Sequence, residues 1–321
     1  GSLPSLITGV CLLIAAWTTS MYLFAFFVIT AYICRSALLP FITDIYGDNY
    51  PSDRRAAFFS KSLLLSVGIA ALSGFIGSSI LEKDIEYYPL IFTFLGFCAF
   101  SKAVAIYCMP SKKVDKSPHE NPFGNMKYAW QDRSFGYVLL TWFIMGFANL
   151  WTLPLRVDYV TSAQWGIEGS AIFVAMIITV IPETMRMLLI PFWARLFDKM
   201  NFVVLRMILN LSFAAGILLF FISSNPWIIG AGSALIGAAF AGGSIAWNLW
   251  VTKYAPPGKT GAYMSVHVSL TGIRGTLGPM IGYWAIGLIG AQNIGILSCA
   301  MMILATLMLI PEIKHGRWKT A

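Results

Sequence analysis

A glutamate and an arginine three residues apart, Glu183 and Arg186, lie near the middle of an otherwise apolar run from Ala171 to Trp193. The run is 23 residues long, and at about 1.5 Å per helical residue it crosses a hydrocarbon core of about 30 Å. A charge at that depth costs on the order of 2.5 to 3.5 kcal/mol on insertion scales, so it faces a protein interior or a water-filled cavity. Side chains three apart on a helix share one face and partly neutralise each other. Two readings follow: a buried pair that fixes the packing of a bundle, or part of a polar cavity used by a passing solute or proton. Arg35 and Arg274 also fall deep in apolar stretches, whereas Lys102 is close enough to the end of its stretch to snorkel. Glu183 is the only deep acid, so the buried charge has positives in excess. If these groups line one cavity, an anionic solute is favoured.

The elements that position these residues are membrane spans. Of 321 residues, 58% are hydrophobic and 11% charged, against about 25% charged in a soluble domain. The chain therefore reads as an integral membrane protein. Aromatic and glycine content fits helical spans with interfacial belts better than alternating barrel strands. Five cysteines, Cys11, Cys34, Cys98, Cys108 and Cys299, fall in or beside apolar stretches without metal or redox spacing and read as small packing residues. Ten stretches are expected to be helical: 3–17, 20–46, 57–81, 88–109, 134–154, 169–193, 203–223, 227–252, 262–288 and 291–311. The separation of the first two, through Thr18, Thr19 and Ser20, is the weakest boundary. The polar, proline-rich and basic segment 110–133 is the strongest, dividing a four-span unit, 1–109, from a six-span unit with a basic tail, 134–321.

Sixteen Lys and Arg residues occupy alternate connections and the C-terminal tail, against two, Lys83 and Arg156, on the opposite side. The richer side is expected to be cytoplasmic, with the linker and the C-terminus. This accounts for the net charge of +8 without nucleic acid, for which no basic helix or aromatic sheet motif is present.

The turn Ala194-Arg-Leu-Phe-Asp198-Lys199-Met-Asn201, followed by Arg206, resembles the G-x-x-x-D-R/K-x-G/N loop signature of the major facilitator superfamily, with Ala194 where the family prefers glycine. Arg35-Ser-Ala-Leu-Leu-Pro40, running on to Arg54 and Arg55, is similar to the family's fourth helix and the loop after it. Tyr254 to Lys259 and Gly272 to Gly282 are similar to its tenth loop and eleventh helix, with Gly275, Gly278 and Gly282 as points of close approach. The resemblance covers nearly the whole chain. It implies an all-α, two-bundle polytopic membrane protein whose ten spans are equivalent to the family's third to twelfth helices, the first two lacking.

On that mapping, the second, fifth and eighth spans line a central cavity, flanked by the third, sixth and ninth. Arg35, Asn149, Glu183, Arg186, Trp247, Asn248 and Arg274 become candidates for the substrate or coupling site. For Asn149 and Asn248 the alternative is hydrogen bonding between helices. Trp151 reads as interfacial belt, Arg156 and Asp158 as an exterior loop pair, and His267 as a packed residue. Asp198, Lys199, Arg206, Arg54 and Arg55 form a cytoplasmic loop gate, with Asp198 able to cap or pair near a helix end.

The function so implied is secondary active transport of a small, anionic solute by alternating access, with no enzymatic chemistry. Arg35 and Arg274 face the anion, and Glu183 is either the partner of Arg186 or a proton-coupling acid. The expected partners are a small-molecule substrate, a coupled proton or ion and the lipid bilayer, for a monomeric chain. No cofactor, metal or nucleic acid is implied. A bacterial inner membrane suits the tight loops and the lack of a charged leader. A non-transporting receptor or assembly subunit of the same fold is the alternative. A membrane-embedded lipid enzyme would need clustered His, Asp or Glu, and a pump driven by its own ATPase would need a G-x-x-x-x-G-K-S/T loop. Neither feature is in the sequence.

Overall fold

The computed structural model describes residues 2–110, 122–167 and 169–314. The chain is an all-helical polytopic membrane protein. Its main helices are α1 (Leu3–Trp17), α2 (Met21–Asn49), α3 (Arg55–Lys83), α4 (Tyr88–Cys108), α5 (Arg133–Leu150), α6 (Ala171–Ala175, a π turn at Met176–Val180, then Ile181–Lys199), α7 (Phe202–Ile222), α8 (Pro226–Tyr254), α9 (260–289) and α10 (291–309). Ten apolar stretches thus become ten helices. By length and composition seven helices among the described residues can cross a membrane, the last of them being α9 and α10 counted together. Lys112, Lys113 and Lys116 of the linker, and Arg317 and Lys319 of the tail, lie outside the described residues.

Local chemistry sets the breaks. Between α9 and α10, Gly290 has φ 79° and ψ 162°, a conformation that glycine adopts without steric penalty. Asn201 and Asn225 start α7 and α8 by accepting from Val203 N and Trp227 N at 2.8 and 2.9 Å. The fifth span ends sooner than expected, at Leu150, and the chain then forms a short helix, Leu155–Thr161. Pro154 explains the break, because it has no amide to donate to the carbonyl one turn back.

In α6 the π turn precedes Pro182. In the π register a residue at 182 would donate to the Ile177 carbonyl, and proline cannot. The Ser233 hydroxyl of α8 donates there instead.

The packing is asymmetric. In the most apolar part of the span that contains α5, 61% of residues are buried, and 56% in α7 and α8, against 11% in α2 and 6% in α6, so the core is centred on α5 and α7 to α10, joined by the last turns of α6 and by Ala56, Phe59 and Val67 of α3. It forms two apolar clusters. One contains Phe135, Trp142, Phe197, Phe202, Trp250 and Tyr263; the other contains Trp151, Tyr159, Phe213, Phe220, Phe221 and Ile294. Since lipid is as apolar as these side chains, close packing drives helix association here. Gly278 and Gly282 give α9 its approach to Leu150 and Trp151, whereas a side chain at Gly275 would meet nothing within 4 Å. Of the first four helices, α1 packs on α2 and α4, while α2 and α3 lean across onto α9 and α6.

Candidate functional site

At the seam between the two apolar clusters is a cavity of about 260 Å³, lined by Trp142, Asn149, Arg206, Trp247, Asn248 and Arg274 among others. Arg274 is 5% exposed. Its guanidinium donates to the Trp142 carbonyl and, at 3.0 Å, to the Thr271 hydroxyl. Gly146 makes room for it, because a Cβ there would overlap the guanidinium. Arg206, 2% exposed, lies 3.5 Å over the Trp142 ring and directs Nη2 to Met145 Sδ at 2.9 Å. The partners of both cations are a carbonyl, a hydroxyl, a sulfur and a ring face, none of them a carboxylate.

A second cavity, of about 230 Å³, adjoins it and is lined by Arg156, Glu183, Arg186, Ser233 and Phe240. Arg186 meets Glu183 at 3.3 Å and donates to the Ser244 hydroxyl at 3.2 Å. Arg156 is 6% exposed and donates to Asn149 Oδ1 at 2.8 Å. Phe240 borders both cavities, and Asn149 and Ser244, which line the first, take hydrogen bonds from the arginines of the second. Four arginines and one glutamate therefore line a divided space whose walls are otherwise largely apolar. The Nε atoms of Arg156, Arg186 and Arg274 are buried without a partner among the described residues, and such a group costs free energy until something accepts from it.

At the end of the molecule where α2 and α6 finish, three charged groups tie helix termini together. Asp198 accepts from Ala56 N and Ala57 N, both at 2.9 Å, and so caps α3 from the end of α6. Asp44 of α2 accepts from Gly261 N at 3.2 Å, at the start of α9. A carboxylate at a helix N-terminus meets both free amides and the positive end of the helix dipole. Arg55 does the converse, donating to the Tyr46, Gly47 and Tyr50 carbonyls at 2.9 to 3.2 Å, where α2 runs out of amide partners. Each aspartate joins the first four helices to the last six. We call this end the latch end.

The structure moves several residues from their expected places. Arg206, expected in the loop gate, is buried on the first cavity, because its long side chain runs from the first turns of α7 into the bundle. Arg156, expected in an exterior loop pair with Asp158, is buried and bonds Asn149 instead, since the short helix after Pro154 turns it inward. Asp158 accepts from Trp165 Nε1 at 3.4 Å. Trp151, expected in an interfacial belt, is 5% exposed and donates to Ser298 Oγ at 2.5 Å.

Arg35 is exposed and lines neither cavity. Trp247 and Asn248 line the first cavity, and Asn248 also donates to the Ser244 carbonyl at 2.7 Å. His267 is packed among the rings of Trp142, Trp247 and Trp250. Arg54 pairs with Asp53 on the surface at 3.7 Å, and Lys199 is exposed. Among the described residues no group of three His, Cys, Asp or Glu is placed to hold a metal ion.

Residues 171–321 match the family model of the Major Facilitator Superfamily. No curated protein sequence matches the chain. Among solved structures, that of the human organic anion transporter MFSD10 (TETRAN) superposes with a TM-score of 0.75 at 16% identity, over 96% of this chain and 76% of that one. The E. coli fucose:proton symporter FucP gives a TM-score of 0.67 at 14% identity, over 96% and 83%. The proton:xylose symporter XylE gives 0.70 at 14%, over 97% and 79%.

Proposed function

We propose that this chain, which has the fold of a major facilitator superfamily transporter, is a secondary carrier moving a small organic anion across a membrane by alternating access. The observation that carries this reading is a set of three guanidiniums, those of Arg156, Arg206 and Arg274, buried around two adjoining cavities with no carboxylate among their partners in the described residues. Leaving a cation buried and unpaired costs several kcal/mol. An anionic solute would offset that cost when it binds, and its planar oxyanion suits the guanidinium fork. The organic anion transporter among the similar structures supports the same solute class.

Transport then follows from rigid-body rocking of the first four helices against the last six, along the contacts of α2 with α9 and α3 with α6. With Asp198 and Asp44 in place the latch end is closed, and the cavities load from the other end. Releasing both caps opens the latch end. The excess of Lys and Arg there, with Arg54, Arg55, Arg195, Lys199, Lys253 and Lys259, supports a cytoplasmic position for it.

The test is uptake by the purified chain in proteoliposomes from a panel of organic anions, neutral sugars and organic cations. Anions are expected to accumulate, and Arg274→Ala to reduce their uptake at least about tenfold, as the loss of one charge-assisted contact implies. Preference for neutral sugars or cations would sink the reading. Anion binding without flux would instead assign the fold to a receptor or assembly subunit.

A further inference from the structure

The two cavities form one site with two cationic ends and an apolar waist. Along α8 the first is lined from Phe240 to Asn248 and the second from Ser233 to Phe240. Their centres are thus about seven residues apart, or about 10 Å at the helical rise. Phe240 stands at the boundary, edge-on to Phe213 with ring centroids 5.0 Å apart.

Each end has guanidinium capacity left over. At the first end, Arg274 Nε is buried and unpartnered, and Arg206 spends its bonding on a sulfur and a ring face. At the second, the Nε atoms of both Arg156 and Arg186 are unpartnered. The internal acid only partly fills that end. Glu183 takes Arg186 Nη1 at 3.3 and 3.4 Å, longer than the roughly 2.7–2.9 Å of a tight charge-assisted bond, and its side chain is 47% exposed.

We propose that the solute is a linear organic dianion, held at one end by Arg206 and Arg274 and at the other by Arg156 and Arg186, with its apolar middle crossing beside Phe240. This rests on the anion-carrier reading and narrows it. A monoanion fills one end and leaves the other cations unmatched; a dianion of the right length fills both. Phe240 selects against a polar middle, because hydroxyls beside the ring would lose their water without gaining a partner. The bonds from Arg156 to Asn149 and from Arg186 to Ser244 hold the two ends at a fixed spacing, so the site measures length.

The test compares α,ω-dicarboxylates from succinate to sebacate with monocarboxylates of equal length. Binding to the wild-type chain in nanodiscs is read by quenching of tryptophan fluorescence, since Trp142 and Trp247 line the first cavity. The dicarboxylates are expected to show an optimum at suberate or sebacate, with affinity at least about tenfold above that of the matching monocarboxylate, the value of one further charge-assisted contact. Arg156→Gln is expected to bring that ratio close to one, and Phe240→Ala to flatten the dependence on length. Equal affinity for both series overturns the two-ended site and leaves an anion carrier with a single binding end. Failure of both series to bind overturns the dianion proposal together with the anion reading, and failure of the dicarboxylates alone overturns the dianion proposal. The wild-type comparison needs no variant, so a misfolded Arg156→Gln protein does not weaken the test.

Discussion

The four arginines of the two cavities, three of them buried and Arg186 partly exposed, differ in what neutralises them. Arg186 alone has an acid, because a carboxylate three residues earlier on the same helix shares its face. Arg156 and Arg274 rely on neutral oxygens, and Arg206 on a sulfur and a ring, so their charge is spread over dipoles rather than cancelled. Glu183, the only acid lining either cavity among the described residues, is therefore the one group there whose protonation changes the charge of the site. In Glu183→Gln, accumulation of an anion driven by an inward pH gradient is expected to disappear. Measurement of uptake with and without the gradient checks this, and undiminished accumulation would remove Glu183 from proton coupling.

At the scale of elements, the molecule joins helices end to side. Asp198 closes α3, Asp44 closes α9 and Arg55 closes α2, each from a neighbouring helix or its approach. An N-cap of this type contributes about 0.5 to 2 kcal/mol, small enough to be broken in each turn of the proposed transport cycle and large enough to bias it. Asp198→Ala is expected to speed amide hydrogen exchange at Ala56 and Ala57 about tenfold, corresponding to about 1.4 kcal/mol of lost protection. Unchanged exchange at those two amides would show that the cap contributes nothing in the membrane. The π turn of α6 belongs to the same scale. It is stabilised from outside its own helix, by Ser233 of α8, and the helix continues from it directly into Glu183 and Arg186.

For the whole molecule, the question is whether the latch end must open. Gly47 of α2 lies against Thr260 at the start of α9, and a Cβ at Gly47 would stand 3.7 Å from Thr260 Oγ1. Thr260 Oγ1 stands where the sulfur of a cysteine at that position would, so the two positions are suited to a test by disulfide cross-linking, which needs Cβ atoms about 3.5–4.5 Å apart. The double variant Gly47→Cys with Thr260→Cys is expected to lose uptake when oxidised and regain it on reduction. Full uptake with the cross-link intact would mean that this end need not separate.

Much of the architecture was legible in the chain because the physics behind it is local. A span is apolar over its own length, and a break is marked by its own prolines and polar residues, so ten apolar stretches became ten helices. Glu183 and Arg186 were legible for the same reason, being neighbours on one turn. Asp198 was legible as a group that could cap a helix, though not which helix, since its partners Ala56 and Ala57 lie more than a hundred residues away. Depth could not be read where the chain leaves a regular helix. Arg156 follows Pro154 and looks like a loop charge until the short helix turns it inward, and Arg206 looks cytoplasmic until its side chain is followed to Trp142. Arg35 shows the reverse: it is deep in an apolar stretch, yet exposed and lining neither cavity. How far a charge lies along a span is a property of sequence, but what it faces depends on how the helices are rotated against one another, and only their packing sets that.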